Sequence, residues 1–443
     1  MTAVKRKALH YSKKIFAMQK KAGMFLLFLT IGFTLLGALI FVRSQTIPDI
    51  HAHPFLFIYS MLVFSFLIGR IIASFFYRHS LKTLLNVPGV HAYQPMITFV
   101  VPCKNEEAVI AHTLETCLAS EYPKDKLEVI AINDGSTDNT GAIMDKLARK
   151  YKELTVIHFK INKGKREGMA EGFRRAKGEI IIQLDSDSYI EPHTVRHMIE
   201  PFANPHIAAV CGHADVANAN ENFITKMQSA YYYISFRIMK AAESVFFMVF
   251  CCSGCSSAYR KSAVMPILDA WLKESFLGQP VTYGDDRSLT TWVLKEGWQT
   301  VYTDRVRAHT IAPSTMNQLF KQQLRWKKSW IINGLFTSWF LLKNDRMTAF
   351  LYFIPMLIIS FVTPFVGLWN VYLLPIIFGR TSMYYLAGIV LMGLMLVLYY
   401  RILKNNSKHW FYLLLWQFFN TFFLSYIILY AVVKINDRGW GTR

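Results

Sequence analysis

The chain has 443 residues, 49 Lys plus Arg against 29 Asp plus Glu, a formal charge of +20, and a composition that is 53% hydrophobic and only 18% charged. That balance excludes a disordered or collagen-like chain and points to a membrane protein before a soluble one. Nucleic acid, the other reading of a basic chain, would gather the cations on one domain, whereas here they collect beside long apolar runs.

In chain order, residues 24–42 carry no charge, and a helix of that length at about 1.5 Å per residue spans about 28 Å, close to the hydrocarbon thickness. Lys5, Arg6, Lys7, Lys13, Lys14, Lys20 and Lys21 precede it and predict a cytoplasmic N-terminus. A cleaved signal peptide is disfavoured because the run exceeds the usual span of about 7 to 15 apolar residues and no small-residue cleavage site follows. A second run, 55–77, returns the chain to the cytoplasm before Arg78 and Lys82. Arg70 lies inside it and either snorkels to the inner face, the favoured reading, or lines a polar cavity.

Residues 95–335 are mixed and charged, long enough for one cytoplasmic domain between an N-terminal membrane segment (1–94) and a C-terminal one (336–443). Residues 349–374 and 384–400 are again long enough to span, with Gly379 to Ser382 between them outside and Arg401, Lys404 and Lys408 inside. The last apolar stretch, 411–433, has cations on both sides, so one crossing cannot satisfy both ends. It is predicted to be interfacial or re-entrant, broken near Gln417 to Asn420, with a further span and an external C-terminus as the alternative. Cys103, Cys117, Cys211, Cys251, Cys252 and Cys255 all fall in the cytoplasmic part, where disulfides are disfavoured, and the lone CxxC lacks the second pair that a zinc site needs.

Within the domain, Met96–Val101, Leu127–Ile132, Leu154–Phe159 and Glu179–Leu184 read as strands separated by helix-length segments, which predicts a mainly parallel sheet with helices on both faces. Ligands bind at the carboxyl ends of such strands, where each polar cluster falls. Asp134 with Gly135 and Ser136 could take a base or ribose, or cap the next helix as a plain turn. Lys163, Lys165 and Arg166 around Gly164 suit a diphosphate, though a solvated loop fits them as well. Asp185 and Asp187 flank Ser186 after the fourth strand. Unpaired they would repel, so a divalent cation, magnesium or manganese, is expected to neutralise a leaving diphosphate. Asp285 and Asp286 form a second acidic pair, suited to general-base work or to a helix N-cap paired with Arg287. Gln322, Gln323, Leu324, Arg325 and Trp326 lie on an amphipathic stretch, where Trp326 alone would be an ordinary interface anchor.

In this order, DGS at Asp134, DSD at Asp185, GDD at Asp285 and QQLRW at Gln322 resemble the processive, membrane-embedded family-2 glycosyltransferases over nearly the whole chain. The stretch Phe276 to Thr290, the NKGKR loop, QQLRWKKSW and the terminal WGTR from Trp440 to Arg443 are most similar to hyaluronan synthases. The resemblance implies an α/β GT-A-type domain inserted between transmembrane helices in the plasma (inner) membrane. It implies a UDP-sugar-dependent hexosyltransferase using Mg2+ or Mn2+, with UDP-sugar donors, the growing polysaccharide and membrane lipid as partners and no nucleic acid; the oligomeric state is left open. It also implies site roles: Asp134 at the uridine, Lys163, Lys165 and Arg166 at the nucleotide, Asp187 at the metal with Asp185 nearby, and Asp286 as general base. Arg325 would help hold the diphosphate, Gln322 and Gln323 would bind substrate, Trp326 would stack on the acceptor sugar, and Trp440 and Arg443 would close over the substrate. Cys252 belongs to the acceptor-side segment, which usually reads CSGP in the family; here Cys255 replaces the proline, and CCSGCSSAYR leans towards chitin-oligosaccharide synthases. The resemblance as a whole implies a processive, inverting polymerase of a β-linked, N-acetylglucosamine-containing polysaccharide, with hyaluronan as the expected product, passed through its own helices. The alternatives are a chitin-type polymer from UDP-N-acetylglucosamine alone, non-processive transfer to a lipid carrier, and a basic membrane scaffold whose acidic clusters are structural.

Overall fold

The computed structural model describes residues 54–86, 89–380, 382–404 and 407–437, without the side chains of His91 and Tyr384. The expected span at 24–42, with the basic segment before it, and Trp440 and Arg443 lie outside the described residues.

The four expected strands form β1 (Ile97–Cys103), β2 (Leu127–Asp134), β3 (Leu154–Phe159) and β4 (Ile180–Gln183). With β5 (Ser188–Ile190), β6 (Ile207–Val216), β7 (Ser257–Arg260) and β10 (Gln299–Thr310) they make an eight-stranded sheet in the order β3-β2-β1-β4-β7-β6-β10-β5. A small hairpin, β8 (Ser275–Phe276) with β9 (Gln279–Pro280), stands apart. The half that holds β3, β2, β1 and β4 is parallel, but β7 enters antiparallel to both β4 and β6, so the sheet is mixed. β1 was expected to stop at Pro102 and instead continues to Cys103. Its pairing with β4 ends at Val100, so a residue with no amide hydrogen pairs there with β2 alone. Phe99, Val100, Ile130, Ile132, Ile181 and Val210 fill the core.

The longer helices of the domain are α2 (Ile110–Leu118), α3 (Thr140–Lys150), α4 (Lys165–Arg175), α5 (Phe223–Ile234), α6 (Asp285–Lys295) and α7 (Met316–Asn344), preceded by α1 (Pro54–Leu85). Among the described residues three helical stretches are long and apolar enough to cross a membrane: α1, Arg346–Phe378 and Tyr385–Leu403. The stretch expected to break near Gln417 to Asn420 is helical through that region. It bends by 45° between Trp410–Phe422 and Leu424–Val433, because Phe423 leaves helical geometry at φ −133 and ψ −59. Thr421 and Ser425 turn their hydroxyls back onto the carbonyls of Gln417 and Thr421, a bond that bends helices.

α1 does not end with its apolar run. It continues into the domain, where Tyr77, Leu81 and Leu84 join the sheet's core. There Asp304 on β10 accepts from the Tyr77 hydroxyl and pairs with Arg78 at 2.7 Å and with Arg237. A second clamp joins Lys404, at the end of the last long apolar helix, to Asp215 on β6 at 3.2 Å. Burial opposes ionisation of Asp304, but Arg237 above all, with the hydrogen bonds from Tyr77 and Arg78, outweighs it and holds the carboxyl below its ordinary value. A depressed carboxyl stabilises the fold above the unfolded carboxyl range, and that contribution is lost as pH falls through the folded value. Asp304→Asn is accordingly expected to cost about 1.5–3 kcal/mol at neutral pH. In thermal unfolding of the detergent-solubilised protein, the gap to the parent should narrow as pH falls below about 4, the ordinary carboxyl value.

Candidate active site

The carboxyl ends of the parallel strands open into a cavity of about 510 Å³, within the usual range for a ligand site. One wall carries Lys165, Asp185 and Asp187, the floor carries Cys251, Ser253, Gly254, Asp285 and Asp286, and α7 contributes Gln322, Gln323, Arg325 and Trp326. At its far end the lining reaches Arg70 on α1 and Met356 and Ser360 of the Arg346–Phe378 stretch. The cavity thus connects the sheet to the apolar helices.

The two acidic pairs are held by different devices. Asp185 receives the Lys165 ammonium at 2.5 Å and the Gln183 amide at 3.1 Å, while its own backbone N–H donates to Gly254 at 3.0 Å. Burial alone would depress Lys165, but the Asp185, Asp285 and Asp286 carboxylates raise it above its ordinary value, so it stays charged. Asp285 and Asp286 open α6, where the helix N-terminus favours negative charge. Gly284 precedes them at φ +72, and a Cβ there would run into the Ser329 side chain, so the turn that aims both acids requires glycine. Asp285 is buried against Arg166 at 2.8 Å. Asp286 turns to the cavity, accepting from the Arg287 N–H at 2.7 Å and the Gly254 N–H at 3.2 Å. Burial would raise its carboxyl, but Lys165 first and then Arg287 outweigh that and hold it below the ordinary carboxylate range. It is an ionised acceptor at neutral pH.

Of the residues singled out from sequence, Lys165, Asp185, Asp187, Asp286, Gln322, Gln323, Arg325 and Trp326 meet in this cavity. Four others do not line it. Asp134 spends both oxygens on the backbone N–H groups of Lys163 and Gly164, at 2.7 and 2.9 Å, and so shapes the basic loop. The Lys163 ammonium lies 4.5 Å above the Phe159 ring. Arg166 is buried between Asp285 and Glu274, each at 2.8 Å. Cys252 is fully buried, and its neighbours Cys251, Ser253 and Gly254 face the cavity instead. Lys328 donates to the Asp437 carbonyl at 2.8 Å and Tyr283 to that of Ile435 at 2.6 Å, bringing the chain beside α6 and α7 just before Trp440 and Arg443.

Arg70 does not snorkel. It is buried, donates to the Tyr352 hydroxyl at 3.0 Å and faces Glu243 at 3.7 Å, so the polar-cavity reading replaces the favoured one. Glu243, which carries no motif in the sequence, reaches this point from a different element. Lys240 was also missed; it braces the CCSGC loop by donating to the Cys251 carbonyl and to Ser253 Oγ at 2.9 Å.

The residues present fit a hard divalent cation. Asp185 and Asp187 place oxygen donors on one wall. Among the described residues no point is surrounded by three ligating side chains, so phosphate and water would complete the shell, as small hard cations prefer. Gln322 Oε1 and Arg325 Nε are buried without a protein partner, leaving polar capacity for a ligand.

A mixed α/β sheet with acidic strand ends around one cavity is the GT-A-like architecture of glycosyltransferases. The fold matches the mannosyltransferase PcManGT from Pyrobaculum calidifontis, solved in complex with GDP-Man and Mn2+, at TM-score 0.56 and 19% identity, covering 85% of this chain and 98% of that one. Residues 98–268 match the family described as glycosyl transferase family 2. It is 28% identical over 399 residues to the hyaluronan synthase of Streptococcus pyogenes serotype M1, covering 87% of this chain and 90% of that one. It is also 32% identical over 240 residues to an N-acetylglucosaminyltransferase of Azorhizobium caulinodans, covering 53% of this chain and 59% of that one. The protein is a glycosyltransferase.

Proposed function

We propose that this chain polymerises UDP-sugars into a β-linked, N-acetylglucosamine-containing polysaccharide, hyaluronan from UDP-N-acetylglucosamine and UDP-glucuronate, and passes the product through its own helices. The observation that carries this reading is the single cavity running from Asp185, Asp187 and Asp286 to Arg70, Met356 and Ser360 on apolar helices. An acceptor held on Trp326 would present its hydroxyl to Asp286, which takes the proton as the oxygen attacks the anomeric carbon from the face opposite the nucleotide, inverting it. Lys165 and Arg325 would hold the diphosphate. Asp187, with Asp185 beside it, would hold Mg2+ or Mn2+, which supplies neutralisation of the departing charge when bound. The domain between the membrane segments would face the cytoplasm, where nucleotide sugars are made.

The second reading, a chitin-type polymer from UDP-N-acetylglucosamine alone, is favoured by the CCSGCSSAYR segment and by the N-acetylglucosaminyltransferase likeness. Purified protein in lipid, supplied with divalent cation and one or both donors, separates them. High polymer that needs both donors and is cut by hyaluronidase is expected. Polymer from the single donor, cut by chitinase, moves the assignment to the second reading.

A further inference from the structure

Of the six cations that line the cavity, Lys165 has Asp185 at 2.5 Å, Arg70 has Glu243 at 3.7 Å, Lys240 is taken up by the Cys251 carbonyl and Ser253 Oγ, and Arg325 is assigned to the diphosphate above. Arg287 and Lys327 differ. Arg287, in the first turn of α6, lays its guanidinium 5.1 Å above the Trp330 ring on α7. Lys327 stands on the same helix, next to Trp326. Both line the cavity, and among the described residues neither has a carboxylate at ion-pair distance. Asp286 is the acid beside Arg287, but it is shared with Lys165 and with the Gly254 N–H. Burial, followed by the charge of Arg287, depresses the Lys327 ammonium to about 8, as expected where two cations face each other without an anion between them. Enclosed charges are costly unless paired, so the arrangement is complete only when a ligand brings the negative group.

Position indicates which group that is. The wall carrying Asp185, Asp187 and Lys165 is where a diphosphate would sit. Arg287 instead lies over Trp330, whose ring packs 5.8 Å from that of Phe353 in the Arg346–Phe378 stretch. Arg287 therefore lies on the side of Asp286 that leads to the apolar helices, and Lys327 stands beside Trp326, whose ring face suits a sugar. We propose that Arg287 and Lys327 form a carboxylate-binding subsite for a uronate unit of the acceptor chain, making them determinants of an acidic rather than a neutral product. This rests on the polymerase reading above and sharpens it.

The test uses the full chain in lipid nanodiscs, with binding followed by intrinsic tryptophan fluorescence. The probes are an oligosaccharide alternating N-acetylglucosamine with glucuronate, a chitin oligosaccharide of the same length, and UDP. The parent should prefer the acidic oligosaccharide. Lys327→Met should weaken that binding by roughly 10- to 100-fold, the range for losing a charged hydrogen bond, and leave chitin oligosaccharide and UDP binding in place. Lys327→Arg should retain the preference, and Arg287→Gln, acting from the other helix, should move the same readout in the same direction. Equal binding of the two oligosaccharides by the parent overturns the subsite. So does a loss of UDP affinity in Lys327→Met that matches its loss for the oligosaccharide, since the cations would then serve the donor. Failure to form polymer from any UDP-sugar is a separate result that strikes the polymerase reading instead.

Discussion

Asp286→Asn is expected to lower elongation by about 10²–10⁴-fold, the contribution of a positioned general base, while UDP still binds. The argument rests on charge and geometry together. The carboxylate sits at the start of α6, held by the Arg287 and Gly254 N–H groups, and it remains ionised because Lys165 and Arg287 outweigh the cost of burial. An amide at the same place keeps the size but loses the basic oxygen. UDP release under saturating donor, set against UDP affinity from calorimetry, separates the chemical step from binding. Elongation at the parental rate would remove Asp286 from the reaction. The pH dependence carries the same sign: a depressed carboxyl stays deprotonated down to low pH, so the acid limb due to Asp286 should fall below about pH 4, the ordinary carboxylate value. Losses of rate at higher pH than that belong to other groups.

What the sequence made legible follows from which forces are local. The strands β1 to β4 could be read because each is a short apolar run closed by polar residues, and the acids that follow them inherit their position from the sheet. The antiparallel entry of β7 could not, since it depends on pairing with strands that are distant along the chain. Among the site residues, type and rough location were legible, but partners were not. Arg166 looks like a phosphate ligand in NKGKR, yet it is taken up by Asp285, 119 residues away. Asp134 looks like a ligand group, yet both oxygens hold the loop that carries Lys163 and Gly164. Arg70 was misread for the same reason. A lone cation in an apolar run favours snorkelling only until a buried acid such as Glu243 comes from elsewhere in the fold. Charges assigned singly from sequence are thus divided by the tertiary structure into those that build the site and those left facing the cavity.

Gly254→Ala should then be the most damaging small change outside the acids themselves, at about 10²-fold in turnover, the scale set by ångström-level displacement of reacting groups. The residue is the bridge between the two acidic pairs: its carbonyl accepts from the Asp185 N–H at 3.0 Å and its N–H donates to Asp286 at 3.2 Å. A Cβ at this position would meet the Asp185 carboxylate oxygens at 2.6 and 2.9 Å, closer than van der Waals contact allows. Either Asp185 swings away from Lys165 and the cation side of the cavity, or the loop shifts and releases Asp286. Both outcomes damage the chemistry while leaving the hydrophobic core of the sheet untouched, so thermal unfolding should change far less than turnover. The residue after it tests whether the loop's shape or its chemistry matters. Cys255 is more than nine-tenths buried and lines the cavity, and Cys255→Pro, which gives the sequence CSGP, should alter the loop's shape while keeping Gly254 beside Asp185. Activity surviving Gly254→Ala at the parental level would mean that Asp185 and Asp286 do not need their present spacing, and the proposed division of labour between them would have to be abandoned.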